Sequence, residues 1–424
     1  MTPMPYHGLF RLLTEPLPQN PAAEPELAAL CEADSTLVDA LAERERCLPN
    51  LLDFRAMHQR VLDPGEQAKR DLLHLKHESA AAVTEALPTS TVLLKGANIH
   101  RHYPSGIARF SGDIDVMVRD YADLAPLHAA LQSLGYAPAG SGLWGFHSAK
   151  PETGLASLRY WRHDGEAQAV SVEVQVGGFP IDLWRCVRYD ELCRGVMHLP
   201  GKPYLTLAPT AQLLLGLADF VGRLSPVSIR HLADASLVAR AAGDQLDLDY
   251  LRARIRDLKL ESGLHKMFDA ARGKGLFERL PEALRALSQA PRHASAAAAE
   301  VASVDPVRVG PLRRGIATGL VAAARAAYRL RPNARWPIAW ATRPRLVRYA
   351  LDSGYRVYGI PMSFKSAPIS RLQQTNDGLY LSSGSGIYAL SLCGDCSAGN
   401  RKWLFDRLRR ASAPSATRRN QDAP

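Results

Sequence analysis

The sequence predicts an α+β protein: a small mixed β-sheet with helices, flanked by helical regions and followed by a basic C-terminal extension. Three observations predict it. Residues 24–87, rich in Ala, Leu and Glu, read as helices, and the helical pattern returns over 209–288. Between them lie short β-branched or alternating runs at Ser90–Leu94, Asp113–Val118 and Ala169–Val176. The charge is also uneven. The 424-residue chain carries +10, yet residues 301–424 hold 20 basic and 6 acidic side chains, leaving residues 1–300 at −4.

Composition narrows the class. With 46% hydrophobic and 22% charged residues, the chain is neither mostly disordered nor fibrous, and its length allows two to three domains. Six cysteines are too sparse for a disulfide-stapled secreted scaffold. The N-terminus has no charged run leading into an apolar core, so no signal peptide is expected. The most apolar helical stretch, Gly315 to Leu330, contains Arg325 and Arg329, so no membrane span is expected. A cytoplasmic location is the expectation.

The elements follow in order. Residues 1–88 form an N-terminal helical region, interrupted at Pro49 and at Asp63-Pro64-Gly65 and ended by Pro88. A core over 89–205 opens with the strand Ser90–Leu94, which runs straight into Lys95-Gly96-Ala97 and a short helix. A second strand, Asp113–Val118, follows a loop with Pro104, Gly106 and Gly112, and residues 122–134 are helical up to Gly135. In Ala169–Val176, Val170, Val172, Val174 and Val176 share one face, and Ser171, Glu173 and Gln175 share the other. Residues 206–290 form a helical domain, 291–306 a linker, 307–410 the basic region and 411–424 a disordered tail. The basic region holds a helix over 312–330 and a strand-like stretch over 354–392.

Chemistry concentrates in the core. Asp113 and Asp115 lie two apart on one strand, so their carboxylates share a face and repel unless a cation lies between them. A divalent metal with hard oxygen ligands, Mg²⁺, answers that arrangement, and Glu173 would add a third carboxylate if its strand were a neighbour. The strand-to-glycine turn at Lys95-Gly96 leads into a helix N-terminus, a setting that holds phosphates on backbone N–H groups. Two metals on three carboxylates would align a hydroxyl with the α-phosphorus of a nucleoside triphosphate.

Residues 92–176 resemble the minimal core of the polymerase-β-like nucleotidyltransferases. Residues from about 60 to 262 resemble, more narrowly, a bacterial nucleotidyltransferase family with the runs L-K-G, R-x-x-x-D-I-D and h-E-h. The matching residues are Leu94-Lys95-Gly96, Arg109-Phe-Ser-Gly-Asp113-Ile-Asp115-Val-Met-Val118 and Val172-Glu173-Val174, with Ile229–Asp234 and Leu246–Leu251 in a helical segment. The resemblance implies metal binding, with two Mg²⁺ ions, at Asp113, Asp115 and Glu173, which are also the catalytic residues. It implies nucleotide binding at Lys95, Gly96, Arg109, Ser111 and Gly112. Two departures stand out: Gly96-Ala97 where the superfamily has Gly-Ser, and Gln175 where the narrow family has His.

The expected activity is Mg²⁺-dependent transfer of a nucleotidyl group, AMP from ATP, to a hydroxyl or phosphate of a small-molecule or peptide acceptor, releasing pyrophosphate. The resemblance also suggests natural-product tailoring. Alternatives are an RNA- or protein-modifying enzyme and a non-catalytic nucleotide-binding or interaction module. Arg109 is expected to touch phosphate or to pair with Asp113 or Asp115, and Asp234 to pair with Arg230 or His231. In the basic region, Arg and aromatic residues interleave at Arg331–Trp340 and Arg343–Tyr349. That pattern suits a solvated docked face, an acidic or phosphorylated acceptor, or nucleic acid. The lone Cys393-x-x-Cys396 lacks a second ligand pair for zinc.

Overall fold

A computed structural model describes residues 4–18, 24–32, 35–58, 61–138, 142–147, 150–164, 167–168, 170–181, 186–222, 225–288, 310–331, 333–363, 371–375, 378–383, 385–394, 400, 402–404 and 406. The expected linker at 291–306, the expected tail at 411–424 and Cys396 lie outside the described residues.

The chain opens with helices α1 (Met4–Thr14), α2 (Pro25–Glu32), α3 (Ser35–Arg44), α4 (Leu48–Met57) and α5 (Pro64–Glu85). Pro49 sits in the first turn of α4, where its missing N–H costs nothing. Asp63 caps α5 in a full capping box with Glu66: the Glu66 N–H donates to the Asp63 carboxylate at 2.8 Å, and the Asp63 N–H to Glu66 at 3.0 Å. Strands β1 (Val92–Leu93) and β2 (Asp113–Val118) flank a 3₁₀ turn at Gly96–His102, and α6 (Tyr121–Ser133) follows. Next come β3 (Ala137–Pro138), β4 (Gly142–His147), β5 (Lys150–Trp161), β6 (His163–Asp164), β7 (Ala167–Gln168), β8 (Ser171–Val176), β9 (Gly178–Pro180) and β10 (Cys186–Arg188). The short α7 (Tyr189–Leu192), β11 (Met197–His198) and β12 (Leu205–Thr206) lead to α8 (Pro209–Gly222), α9 (Ile229–Ala242), α10 (Leu248–Asp257), α11 (Glu261–Gly273) and α12 (Glu282–Leu287). The C-terminal part holds α13 (Pro311–Leu330), α14 (Arg335–Ala341), α15 (Pro344–Asp352), β13 (Val357–Ser363), β14 (Arg371–Gln374), β15 (Leu379–Ser383) and β16 (Gly386–Ser391).

The protein is α+β, with two compact units that interleave along the sequence. The first takes the described residues of 1–117, 161–173 and 178–303, and the second those of 118–160, 174–177 and 304–424. The core expected over 89–205 is thus shared out, with residues 118–160 grouped with the C-terminal region.

In the first unit the strand order is β11-β12-β1-β2-β8. β1 pairs parallel with β12 and antiparallel with β2, in the register Val92↔Met117 and Leu93↔Val116, so the sheet is mixed as expected. One apolar core runs from α1 through the sheet to α12, including Leu9, Phe54, Met117, Leu214, Leu251 and Leu284. Gly263 lets α11 approach α8 closely, since a Cβ there would sit 2.3 Å from the Leu217 carbonyl oxygen.

In the second unit the order is β5-β4-β13-β16-β15-β14. β4 pairs antiparallel with β13, with Tyr358 opposite Leu143 and Gly359 opposite Gly142. Helix α13 buries Ala317, Val321, Ala324 and Tyr328. Several basic side chains meet aromatic rings within the unit. Arg325 donates to the Tyr358 hydroxyl at 2.8 Å and lies over its ring, and Arg313 lies over Tyr349. Gln175, expected on the outward face of its strand, is instead buried, with its Oε1 accepting no hydrogen bond from the described residues. No helix among the described residues is long and apolar enough to cross a membrane.

Candidate active site

The pairing of β1 with β2 brings the two polar motifs together. The ladder continues past β1, the Leu94 N–H donating to the Asp115 carbonyl at 2.9 Å. The chain then turns at Gly96, whose φ of +68° favours glycine. A Cβ on Gly96 would stand 3.0 Å from Ser111 Oγ and 3.3 Å from Arg109 Nη1, so this turn lies directly against the loop that precedes β2.

These residues line a cavity of about 90 Å³. Lys95, Gly96, Arg109, Ser111, Asp113 and Asp115 all face it, joined by Gln212, Gly216 and Asp219 from α8 and Arg230, His231 and Asp234 from α9. Of the expected site residues, Gly112 and Glu173 are not among its lining. Gly112 is exposed, with open space where its Cβ would be. Glu173 is half-buried on β8, and β8 does neighbour β2. Among the described residues, no three His, Cys, Asp or Glu side chains are grouped to hold a metal ion.

Asp115 is the least comfortable charge in the cavity. It is buried, and its Oδ1 accepts no hydrogen bond from the described residues. Burial, with Asp113 and Asp219 adding repulsion against the pull of Lys95, pushes its carboxyl up to about 6. Lys95 Nζ lies 3.7 Å from Asp115 Oδ1 and donates to Asp219 Oδ1 at 3.0 Å. Burial alone would lower this ammonium, but Asp115 and Asp219 outweigh it and the net shift is upward. Ser111 turns its hydroxyl back to the Asp113 carbonyl at 2.7 Å.

Arg109 does not pair with Asp113 or Asp115. Its guanidinium grips Asp234, with Nε 3.0 Å from Oδ1 and Nη2 2.7 Å from Oδ2. The Tyr103 hydroxyl donates to the same carboxylate at 2.8 Å. Burial would raise Asp234, but Arg109 dominates and holds it below the usual carboxylate range. The remaining nitrogen, Arg109 Nη1, is buried without a described partner, so one donor of a pinned arginine is left to the cavity. The hydrogen bonds to Asp234 thus come from Arg109 and Tyr103, while the expected partner Arg230 adds only its charge, which also helps to hold the carboxyl down. Arg230 donates to the Phe110 carbonyl at 3.1 Å, and His231 Nδ1 accepts from the Ser228 N–H at 3.1 Å in the cap of α9. Spacing alone cannot find a partner 125 positions away in the chain. Asp219 also escaped the sequence reading. Its one signal was a lone acid in the apolar run Leu213–Val221 of α8.

The strand–glycine turn thus lies opposite the D-I-D strand, with basic donors around a shared cavity. Residues 65–273 match the model of a family described as uncharacterised nucleotidyltransferase. The matched range contains every lining residue named above and agrees with the range expected from the motifs. No curated protein matches the sequence.

Proposed function

We propose that the protein transfers AMP from ATP, with Mg²⁺, to a hydroxyl or phosphate of a small-molecule or peptide acceptor, releasing pyrophosphate. One observation carries the reading: a buried carboxylate oxygen on Asp115, without a hydrogen bond among the described residues, lines the same cavity as Asp113 and the Gly96 turn. A protein that needed this residue only for folding would pair that oxygen or replace it. Asp113 and Asp115 would hold Mg²⁺ between them, which suits an ion that takes one or two carboxylates and completes its shell with phosphate oxygens and water. Bound there, Mg²⁺ would supply Lewis-acid polarisation of the phosphoryl oxygens. Glu173 stays outside the cavity lining, so the reading rests on the aspartate pair.

The chain's own residues supply the rest. Lys95 is pulled toward Asp115 and Asp219, and this charge meets the triphosphate at the turn. Arg109 presents its unpartnered Nη1 while Asp234 fixes its orientation, so little side-chain entropy is lost on binding. Gly96 keeps the turn free of a Cβ, which lets phosphate approach the backbone.

The test is incubation of the full chain with each labelled triphosphate, Mg²⁺ and a cell extract. The expected result is transfer of label from ATP to a small molecule or peptide, lost by at least about a hundredfold in Asp113→Asn and Asp115→Asn. Equal transfer by wild type and both variants would overturn the reading.

A further inference from the structure

Three arginines line the cavity, and their charge is poorly compensated. Arg109 and Arg230 both draw on Asp234, whose carboxylate already accepts two hydrogen bonds from Arg109 and one from Tyr103. Arg230 donates from Nη1 to the carbonyl of Phe110, the neighbour of Arg109 in the chain. Its Nε is buried without a partner among the described residues, as is Arg109 Nη1. Buried donors in this condition call for an acceptor. Burial, with repulsion from Arg109 and Arg46, pushes the Arg230 guanidinium down to about 10 despite the pull of Asp234.

The third arginine, Arg46, comes from the turn between α3 and α4, outside the matched residues 65–273. It ends α3, with the Arg46 N–H donating to the Glu43 carbonyl at 3.0 Å and the Cys47 N–H to the Ala42 carbonyl at 2.8 Å. That turn holds Arg46 at φ +61°, a left-handed position where glycine is the usual residue. The adjacent acid does not neutralise it: the Glu45 carboxylate accepts from the Ile229 N–H at 2.8 Å and faces Lys274 at 3.4 Å. A long cation on a position that suits glycine thus shares one cavity with two orphaned guanidinium donors.

We infer that Arg46, Arg109 and Arg230 form a subsite for a phosphate group, their guanidinium N–H groups donating to its oxygens. Phosphate brings up to about two negative charges and three acceptor oxygens, which suits three planar donors that share one acid. An apolar group would leave both orphaned donors unpaired. The inference deepens the nucleotidyl-transfer reading and rests on it for the source of the phosphate, the end of the triphosphate or a phosphorylated acceptor.

The experiment titrates inorganic pyrophosphate into the full, metal-free chain by calorimetry. Wild type is expected to bind it saturably, and Arg46→Gln and Arg230→Gln each to weaken it at least about tenfold. Arg46 is exposed, so Arg46→Gln decides the matter alone if circular dichroism shows Arg230→Gln to be unfolded. Arg46→Gly adds a readout that a structural role would not give. It should melt above wild type, because glycine suits the left-handed turn, and still lose pyrophosphate affinity. No saturable binding by wild type, or wild-type affinity in Arg46→Gln, would overturn the inference. Competition with ATP assigns the source: displacement of pyrophosphate gives the subsite to the triphosphate, and joint binding gives it to a phosphorylated acceptor. If pyrophosphate behaves as expected but no label leaves any triphosphate, the subsite stands and the nucleotidyl-transfer reading falls. If label is transferred while Arg46→Gln binds pyrophosphate as wild type does, the subsite alone falls.

Discussion

Asp115 concentrates the conflict between stability and function in one side chain. Its carboxyl is raised above the ordinary value of 3.8 to about 6, so the folded state holds this proton more tightly than the unfolded chain does. The sign follows: the metal-free protein keeps the full benefit below the unfolded value and loses it as pH rises through about 6. Asp115→Asn removes the penalty. Urea unfolding should find this variant more stable than wild type at pH 7, by up to about 3 kcal/mol, and nearly equal at pH 4. Parallel stability curves would show that the carboxylate is paired after all. Asp234 has the opposite sign, because Arg109 holds its carboxyl below the usual range. Its contribution is present above the unfolded value and fades as pH falls through the folded one. Asp234→Ala strands a buried guanidinium and should cost about 3–5 kcal/mol at pH 7. The deficit should shrink in acid, as read from denaturant melts at pH 3 and pH 7.

At the scale of elements, local rules explain most boundaries. Helix α5 begins where Asp63-Pro64-Gly65 interrupts the N-terminal helices, because that tripeptide supplies a cap and a proline for the first turn. Asp63→Ala should destabilise α5 by about 1 kcal/mol, and amide exchange in residues 64–68 should accelerate while the amides of β2 stay protected. Strand β2 spans the predicted residues Asp113–Val118 because its apolar alternation and flanking glycine speak for a strand on their own. Strands β4 and β5 and helix α15 had no such advocate. Residues 142–161 contain glycine and mixed polar residues without a clean period, and Pro344 and Arg345 mask the helix that they open. These elements form because a neighbouring strand or helix offers a face, which outweighs propensity.

For the whole molecule, the main departure lies in the second unit. The basic C-terminal region reads in sequence as an extension, but β13 pairs with β4, a strand far earlier in the chain, in the register Val357↔Trp144 to Gly359↔Gly142. A chain ending at residue 303 would leave β4 with an unpaired edge. Such a truncation should self-associate, seen as high-mass species by light scattering where the full chain gives one discrete species, and a single discrete species from the truncated chain would contradict the prediction. Sequence alone determined the glycine turn at Gly96, the D-I-D strand and the helical flanks, because each is written in residues within a few positions of one another. Only the tertiary structure decided that Arg109 serves Asp234, that Lys95 bridges Asp115 and Asp219, and that all of them line one cavity. It also decided that the positive C-terminal region shares a sheet-containing unit with residues 118–160. The physical reason is the same in each case: ion pairs, cavities and strand edges are completed by groups far apart along the chain, and periodicity reports only on near neighbours.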